Sequence, residues 1–219
     1  MLYDWDVSNE DFKWLVIGSC GAVASLAIGR GKMLIATETV PGRAFSAEWP
    51  AELRRLLAIA GWKVDELQAV GVVHGPGSFT GVRVGLSAAK GLCEAVGAKL
   101  IAVSRLEVLA EHGAPDALAV LDAGRDEFYV RDGGLEFLAG REEVLAASEQ
   151  RTVVTPDDRV AEMYAEAVLV HMSAISALPI VWKRWSEGRF DDVAAIDANY
   201  VRSERDIYAR KPAVGNGGK

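Results

Sequence analysis

The chain has 219 residues, half of them hydrophobic, and a formal net charge of −7. This length can bury one large core or two small ones, and no apolar run approaches the roughly 20 residues that span a bilayer. Because acidic and basic residues are interleaved, the sequence lacks the concentrated positive face that gripping a nucleic-acid backbone requires.

Cysteine usage and the first residues indicate the cellular compartment. Cys20 and Cys93 lie far apart and have no ligand-like spacing with the histidines. Free thiols in a reducing compartment are therefore favoured over a disulfide or a zinc site. Residues 1–13 are acidic and aromatic, unlike a signal or transit peptide. The sequence predicts a cytoplasmic protein that does not enter a membrane.

The first half of the chain predicts a regular alternation of strands and helices after a flexible leader at residues 1–12. Short apolar, β-branched runs are typical of strands, and the longer amphipathic segments between them are typical of helices. Gly29-Arg30-Gly31 predicts a hairpin between two of the strands. The predicted strands are 13–18, 22–29, 32–40, 68–74 and 99–103, and the predicted helices are 45–60, 78–96 and 104–112.

The same pattern restarts near residue 113. Its predicted strands are 117–121, 127–131, 135–138, 151–155 and 167–171, and its predicted helices are 141–148, 157–164 and 173–187. Both halves therefore read βββαβαβα, and the first turn and the hairpin are similarly spaced, Gly18 to Gly29 and Asp122 to Asp132.

This duplication predicts an α/β fold of two similar lobes with a cleft between them. The first lobe is predicted at residues 13–112 and a second, smaller lobe at residues 113–210. One or two helical turns are expected at 203–210. Residues 211–219, which contain Pro212 and several glycines, are predicted to be disordered.

A glycine-rich turn precedes the predicted helix 78–96. Gly75-Pro76-Gly77 predicts a tight turn, and Ser78 is placed to cap the helix. The spacing does not match a P-loop, because Val82-Arg83 follow the last glycine, or the dinucleotide fingerprint, because three residues separate its last two glycines. Two interpretations stay open. The helix amino end holds an anion, or a close-packed face is formed by the small residues Gly81, Gly85 and Ala89.

Residues 75–86, which read GPGSFTGVRVGL, and the AKGL that occupies 89–92 resemble the signature of the bacterial TsaB (YeaZ) family. Further marks are SRLEVLA at 104–110 and EFYV at 127–130, and the resemblance covers residues 14–138. That family is the non-catalytic partner in the complex that makes N6-threonylcarbamoyladenosine in tRNA. The resemblance implies two tandem ribonuclease-H-like lobes of the actin, sugar-kinase and Hsp70 superfamily. It also implies a subunit that binds and activates a TsaD-type transferase acting on adenosine 37 of tRNA.

The predicted cleft lacks one of the acids that a Mg-ATP site needs. The first-lobe turn is Gly18-Ser19-Cys20-Gly21, where TsaB-like sequences usually show Asp-Thr-Ser, and the second-lobe turn, 122–125, keeps one acid. A hard cation requires several oxygen ligands, usually including carboxylates. We therefore expect no catalytic residue, metal or cofactor, and only a vestigial nucleotide site at Gly18, Asp122 and Gly124.

The alternative hypothesis is a small ATPase or kinase-like enzyme of that superfamily, using Asp122 and the 75–78 turn. A metal-dependent transferase is not favoured. The sister family that performs the transfer binds its metal through paired histidines on the helix that begins here at Phe45. TsaB-like sequences usually read His-Ser-Glu at this point, whereas this chain reads Phe45-Ser46-Ala47-Glu48.

The first two predicted helices carry wide apolar arcs. Either both bury these arcs only in their own sheet, or they also pair with two like helices of another chain. Gly85→Leu is expected to abolish association if this face meets a partner, and to cause misfolding if it meets its own lobe. The predicted contact residues are Phe45, Trp49, Leu53, Leu56, Phe79, Gly81, Val82, Gly85, Leu86 and Ala89.

The resemblance also implies the partners. TsaB proteins join TsaD, or themselves, through a bundle of these two helices, so a heterodimer is expected, and a homodimer in isolation. The TsaE-type ATPase of the same complex is a further expected partner. Contact with tRNA is expected only through the complex.

Overall fold

A computed structural model describes residues 11–149, 151–164 and 166–201. The predictions for residues 1–10, 203–210 and 211–219 lie outside these ranges. Phe12, the last residue of the predicted leader, is buried, and its ring stacks on that of Trp185 with centroids 4.4 Å apart. In the described part of the chain, no helix combines the length and the apolar character needed to cross a bilayer.

The first half forms a five-stranded sheet in the order β3-β2-β1-β4-β5. Strand β1 is antiparallel to β2 and parallel to β4, and β4 is parallel to β5. The central strands β1 and β4 are almost entirely buried, as expected for apolar strands covered on both faces. The strands are β1 (Lys13–Gly18), β2 (Val23–Arg30), β3 (Met33–Pro41), β4 (Ala69–Val73) and β5 (Lys99–Val103).

The helices of this half are α1 (Phe45–Ala60), α2 (Phe79–Val96) and α3 (Arg105–Ala110). Helix α1 packs on β2 and β3, α2 packs on β4 and β5, and the two helices contact each other. Ser78 caps α2 as predicted, because its hydroxyl accepts from the Gly81 amide at 3.3 Å.

The second half repeats this plan. Its five-stranded sheet has the order β8-β7-β6-β9-β10, with β6 antiparallel to β7 and parallel to β9. The strands are β6 (Leu118–Gly124), β7 (Glu127–Asp132), β8 (Leu135–Gly140), β9 (Val153–Thr155) and β10 (Val168–Leu169), with helices α4 (Arg141–Ser148), α5 (Asp158–Ala161) and α6 (Leu178–Ser186). The duplication is confirmed, and both lobes have the ribonuclease-H-like order of strands.

The last helix does not stay with the second sheet. The predicted helix 173–187 is a 3-10 turn, Ala174–Ala177, followed by α6, with Pro179 in its first turn. Ala177, Val181 and Trp182 are buried in the core of the first sheet. Gly71 of β4 permits this approach, because a Cβ there would lie 2.8 Å from Val181 Cγ2. The lobe boundary at residue 112 stays a prediction, whereas this segment packs on the first lobe.

Candidate functional site

A cleft of ≈ 880 Å³ lies between the two lobes. Cys20 and Gly21, which follow β1, line it together with the start of α2, and Asp122 and Asp157 line it from the second lobe. Strands β1 and β4 end at this cleft, and so does β6. The predicted turns of both lobes therefore come together here, as the duplication required.

The two residues that follow β1 form hydrogen bonds inside the first lobe. Ser19 is 1% exposed, and its hydroxyl donates to the Gly81 carbonyl at 2.8 Å. The Cys20 thiol donates to the Val73 carbonyl at 3.0 Å. Burial raises the pKa of the Cys20 thiol to about 11, although the nearby Arg105 guanidinium favours the thiolate. This thiol is therefore neutral at pH 7 and is not a nucleophile.

Asp122 is also held by its own lobe. Its Oδ1 accepts from the Gly124 amide at 2.7 Å, and its Oδ2 accepts from Arg159 at 2.9 Å. Asp157 Oδ2 accepts from the Asp122 amide at 2.9 Å. A magnesium ion at the Asp122 carboxylate would compete with the Arg159 guanidinium for Oδ2.

The predicted turn 122–125 begins later than expected. Strand β6 continues through Gly124, and the left-handed residues are Gly124, Arg125 and Asp126, at φ 74°, 58° and 62°. Arg125 therefore has a backbone conformation that favours glycine. Hydrogen bonds from Arg141 lower the pKa of Asp126. Of the other two predicted residues, Gly18 packs on the backbone of Ala174, and neither Gly18 nor Gly124 is a lining residue of the cleft.

Two arginines that the sequence did not single out line the cleft. Arg43 follows β3 and Arg105 begins α3, and neither forms an ion pair among the described residues. The first residues of α2 line the same cleft, and a helix amino end favours anions. No group of His, Cys, Asp and Glu side chains in the described ranges could hold a metal ion.

Most of the predicted partner-contact residues face their own lobe, which corrects that set. Phe45, Leu53 and Leu56 of α1 are at most 5% exposed, and Val82, Leu86 and Ala89 of α2 are equally buried. The apolar arcs of both helices cover the first sheet, so they are not available to another chain. Trp49 is half-buried, and Phe79 is 57% exposed.

The glycine stripe on α2 packs on the end of β1. A Cβ at Gly81 would lie 2.1 Å from the Ser19 carbonyl oxygen, and a Cβ at Gly85 would lie 2.1 Å from Ser19 Oγ. The interpretation as a close-packed face is confirmed. Of the two outcomes expected for Gly85→Leu, the geometry favours misfolding, since a leucine there collides with its own lobe.

The exposed sides of α1 and α2 form a different surface, which we call the small-residue face. Most of its side chains are short, with the exposed Arg54 and Arg55 lying among the alanines of α1, and the two helices contact each other. The sequence signal for this face is the recurrence of small residues at helical spacing. The same kind of recurrence predicted the buried glycine stripe of α2. The face consists of Ala47, Ala51, Ala58, Thr80, Val84, Ser87, Gly91 and Ala95, all exposed except the half-buried Val84, and Thr80 and Val84 also line the cleft.

Comparison with known proteins shows which family this chain resembles. The model of the family described as TsaD: tRNA N6-adenosine threonylcarbamoyltransferase matches residues 39–174, more than half of the chain. The chain is also similar to the tRNA threonylcarbamoyladenosine biosynthesis protein TsaB of Escherichia coli K12, 28% identical over 60% of this chain and 55% of the relative. The Haemophilus influenzae protein of the same name is 33% identical over 49% of each. The chain thus spans about half the length of the curated relatives it matches.

A solved structure of YeaZ from Pseudomonas aeruginosa has the same fold. It superposes with a TM-score of 0.73 at 23% identity, covering 86% of this chain and 99% of that one. At this identity, the likeness shows the fold alone. It agrees with the two-lobed topology and with the duplication that the sequence predicted.

Proposed function

The chain belongs to the tRNA N6-adenosine threonylcarbamoyltransferase (TsaD) family, as one of its TsaB (YeaZ) members, and on this premise we propose that it is a non-catalytic subunit of threonylcarbamoyladenosine biosynthesis. In this proposal it binds a TsaD-type transferase and supports that enzyme's active conformation. The transfer to adenosine 37 of tRNA takes place on the partner. tRNA is contacted through the complex, to which the TsaE-type ATPase also belongs, and the location is the cytoplasm.

The observation that carries the proposal is the small-residue face. Short side chains let two helices approach closely, so α1 and α2 can pack against two helices of another chain. Thr80, Ser87 and Gly91 lie along one side of α2, and their short side chains let a partner helix approach this side closely. A stable complex needs an interface of about 1,600 Å² in total, which two helix pairs and their flanks supply.

The cleft supports placing the chemistry on the partner. Its first-lobe turn carries Ser19 and Cys20, both buried and hydrogen-bonded to neighbouring backbone. In the second lobe, Arg159 and the Gly124 amide occupy the carboxylate of Asp122. These hydrogen bonds each lie within one lobe, so the residues support the structure of their own lobe.

Binding of the transferase by variants of the small-residue face tests the proposal. Gly91 is exposed with open space where a Cβ would lie, so Gly91→Arg adds bulk and charge to the face without a clash in the chain itself. Gly134→Arg in the β7–β8 hairpin of the second lobe is the matched control, because its Cβ position is also open. Calorimetric titration should show that the wild type and Gly134→Arg bind a TsaD-type transferase and that Gly91→Arg does not.

Two results would contradict the proposal. The first is equal binding by Gly91→Arg and the wild type. The second is micromolar binding of Mg-ATP by the isolated chain that Asp122→Ala abolishes, because it would favour the ATPase-like alternative. In the homodimer that is expected in isolation, the same face is used, so Gly91→Arg should also give a monomer in light scattering.

A further inference from the structure

Large side chains interrupt the small-residue pattern at the amino end of α2. Phe79 is 57% exposed and Tyr200 is 44% exposed, with their ring centroids 6.1 Å apart. The Arg83 guanidinium lies over the Phe79 ring, 3.8 Å from its centroid, and Arg83 Nε donates to Tyr200 Oη at 2.7 Å. We call these three residues the aromatic anchor. Exposed Tyr and Arg side chains arranged in this way are typical of the residues that dominate binding energy in protein interfaces.

The two rings of the aromatic anchor form part of the wall of a cavity of ≈ 210 Å³. Val82 and Tyr129 line it, and Asn199 and Val201 line it on the side of Tyr200. An apolar cavity of about 150 Å³ is large enough for a benzene molecule. This cavity therefore has room for one bulky apolar side chain.

The wall of the cavity is fixed before anything binds. The Asn199 amide donates to the His74 carbonyl at 2.8 Å, which ties this segment to the first lobe. Asn199 Nδ2 donates to Glu136 Oε2 at 2.7 Å, which ties it to the second. Tyr200 follows directly, so its ring is held on a braced segment. Binding to a preorganised pocket loses little conformational entropy.

Arg83 supplies the charge that selects an occupant. Its Nε is engaged by Tyr200, and no carboxylate of the described residues pairs with its terminal nitrogens. Stacking on Phe79 and the hydrogen bond to Tyr200 hold the guanidinium beside two residues that line the cavity, and its terminal nitrogens are donors suited to a carboxylate. The cavity lining itself contains no lysine or arginine. One cation is sufficient for a side-chain carboxylate but poor for a nucleic acid, which requires several.

We propose that the aromatic anchor is the point at which the transferase inserts one apolar side chain, with an Asp or Glu beside it on Arg83. This inference rests on the proposed function. The anchor borders the small-residue face, because Arg83 lies about one helical turn from both Thr80 and Ser87 on α2. The small residues permit close approach, and the anchor supplies most of the affinity.

Titrations of the full-length variants against the TsaD-type transferase test this. Phe79→Ala should weaken binding by roughly 30-fold or more, the effect of removing a dominant interface residue. Phe79 is exposed, so the variant should keep its circular dichroism spectrum. Phe137→Ala on β8, where the ring is 41% exposed, is the matched control and should bind like the wild type. Arg83→Glu should also weaken binding, and its effect should shrink at high salt.

Phe79→Ala binding as tightly as Phe137→Ala would overturn the inference. Loss of tRNA crosslinking by Phe79→Ala with unchanged affinity for the transferase would also overturn it, because the surface would then serve RNA. If Gly91→Arg loses binding and Phe79→Ala does not, the anchor fails and the proposed function stands. If the wild type does not bind the transferase, both fail.

Discussion

Replacing Gly85 by alanine tests whether the glycine stripe of α2 packs on its own lobe. The new Cβ would lie 2.1 Å from Ser19 Oγ, and that hydroxyl is buried and donates to the Gly81 carbonyl. Overpacking costs about 1–3 kcal/mol, and loss of the hydrogen bond adds about 1 kcal/mol. The helix propensity of alanine offsets roughly 1 kcal/mol. We expect the free energy of unfolding to fall by about 1–3 kcal/mol.

Ser19→Ala provides the background in which this clash is absent. Alone it should cost about 1 kcal/mol, because its hydrogen bond is lost. In the double variant, the next nearest neighbours of the new Cβ are the Cβ of residue 19 at 3.3 Å and Ile17 Cγ2 at 3.5 Å. Gly85→Ala should then be nearly neutral, which gives a coupling energy of about 1 kcal/mol or more.

Urea unfolding followed by circular dichroism measures all four members of this cycle. Gly91→Ala is the propensity control on the same helix, where the Cβ meets open space, and it should stabilise the protein by up to about 1 kcal/mol. Additive effects of Ser19→Ala and Gly85→Ala would refute the packing argument. So would a Gly85→Ala variant as stable as Gly91→Ala.

Three further predictions concern an ion pair, the two thiols and the left-handed turn at Arg125. The hydrogen bonds from Arg151 lower the pKa of Asp132 below its ordinary 3.8. The ion pair therefore stabilises the folded state above pH 3.8. This stabilisation is lost as the pH falls through the lower pKa of the folded state. As the pH is lowered below about 5, the urea midpoint of Asp132→Asn should therefore fall less steeply than that of the wild type. Parallel plots of urea midpoint against pH for the two proteins would contradict this. Burial raises the pKa values of Cys20 and Cys93 to about 11, so neither thiol should react with iodoacetamide at pH 8 until urea is added. Arg125→Gly should raise the urea midpoint, because Arg125 has φ 58° and left-handed backbone costs other residues about 1–2 kcal/mol; an unchanged or lower midpoint would show that this turn is unstrained.

The sequence predicted the secondary structure well because hydrophobic periodicity and turn residues agree along most of the chain. The bounds of β1, α1, β5 and α4 match the prediction, and the duplication predicted both sheets. The position of α6 could not be predicted in this way. An amphipathic helix has the same pattern whichever sheet it covers, and the burial of Val181 and Trp182 in the first core, with Val181 packed over Gly71, shows that α6 lies on the first sheet.

The site was less predictable for a related reason. Apolar residues such as Leu53 and Leu56 mark the face of a helix that is buried, and periodicity does not distinguish burial in the same chain from burial in a complex. The exposed positions, such as Ser87 and Gly91, carry small residues whose pattern is weak. Arg43 and Arg105 are far apart in the sequence, and the fold alone brings them to one cleft.

Activation of the transferase measures the central claim most directly. A TsaD-type transferase supplied with tRNA and its threonylcarbamoyl donor would be assayed for threonylcarbamoyladenosine alone, with the wild-type chain, and with Gly91→Arg or Gly134→Arg. The proposal predicts modified tRNA with the wild type and with Gly134→Arg, and little with Gly91→Arg or without the chain. A transferase that is equally active alone, or fully activated by Gly91→Arg, would contradict it.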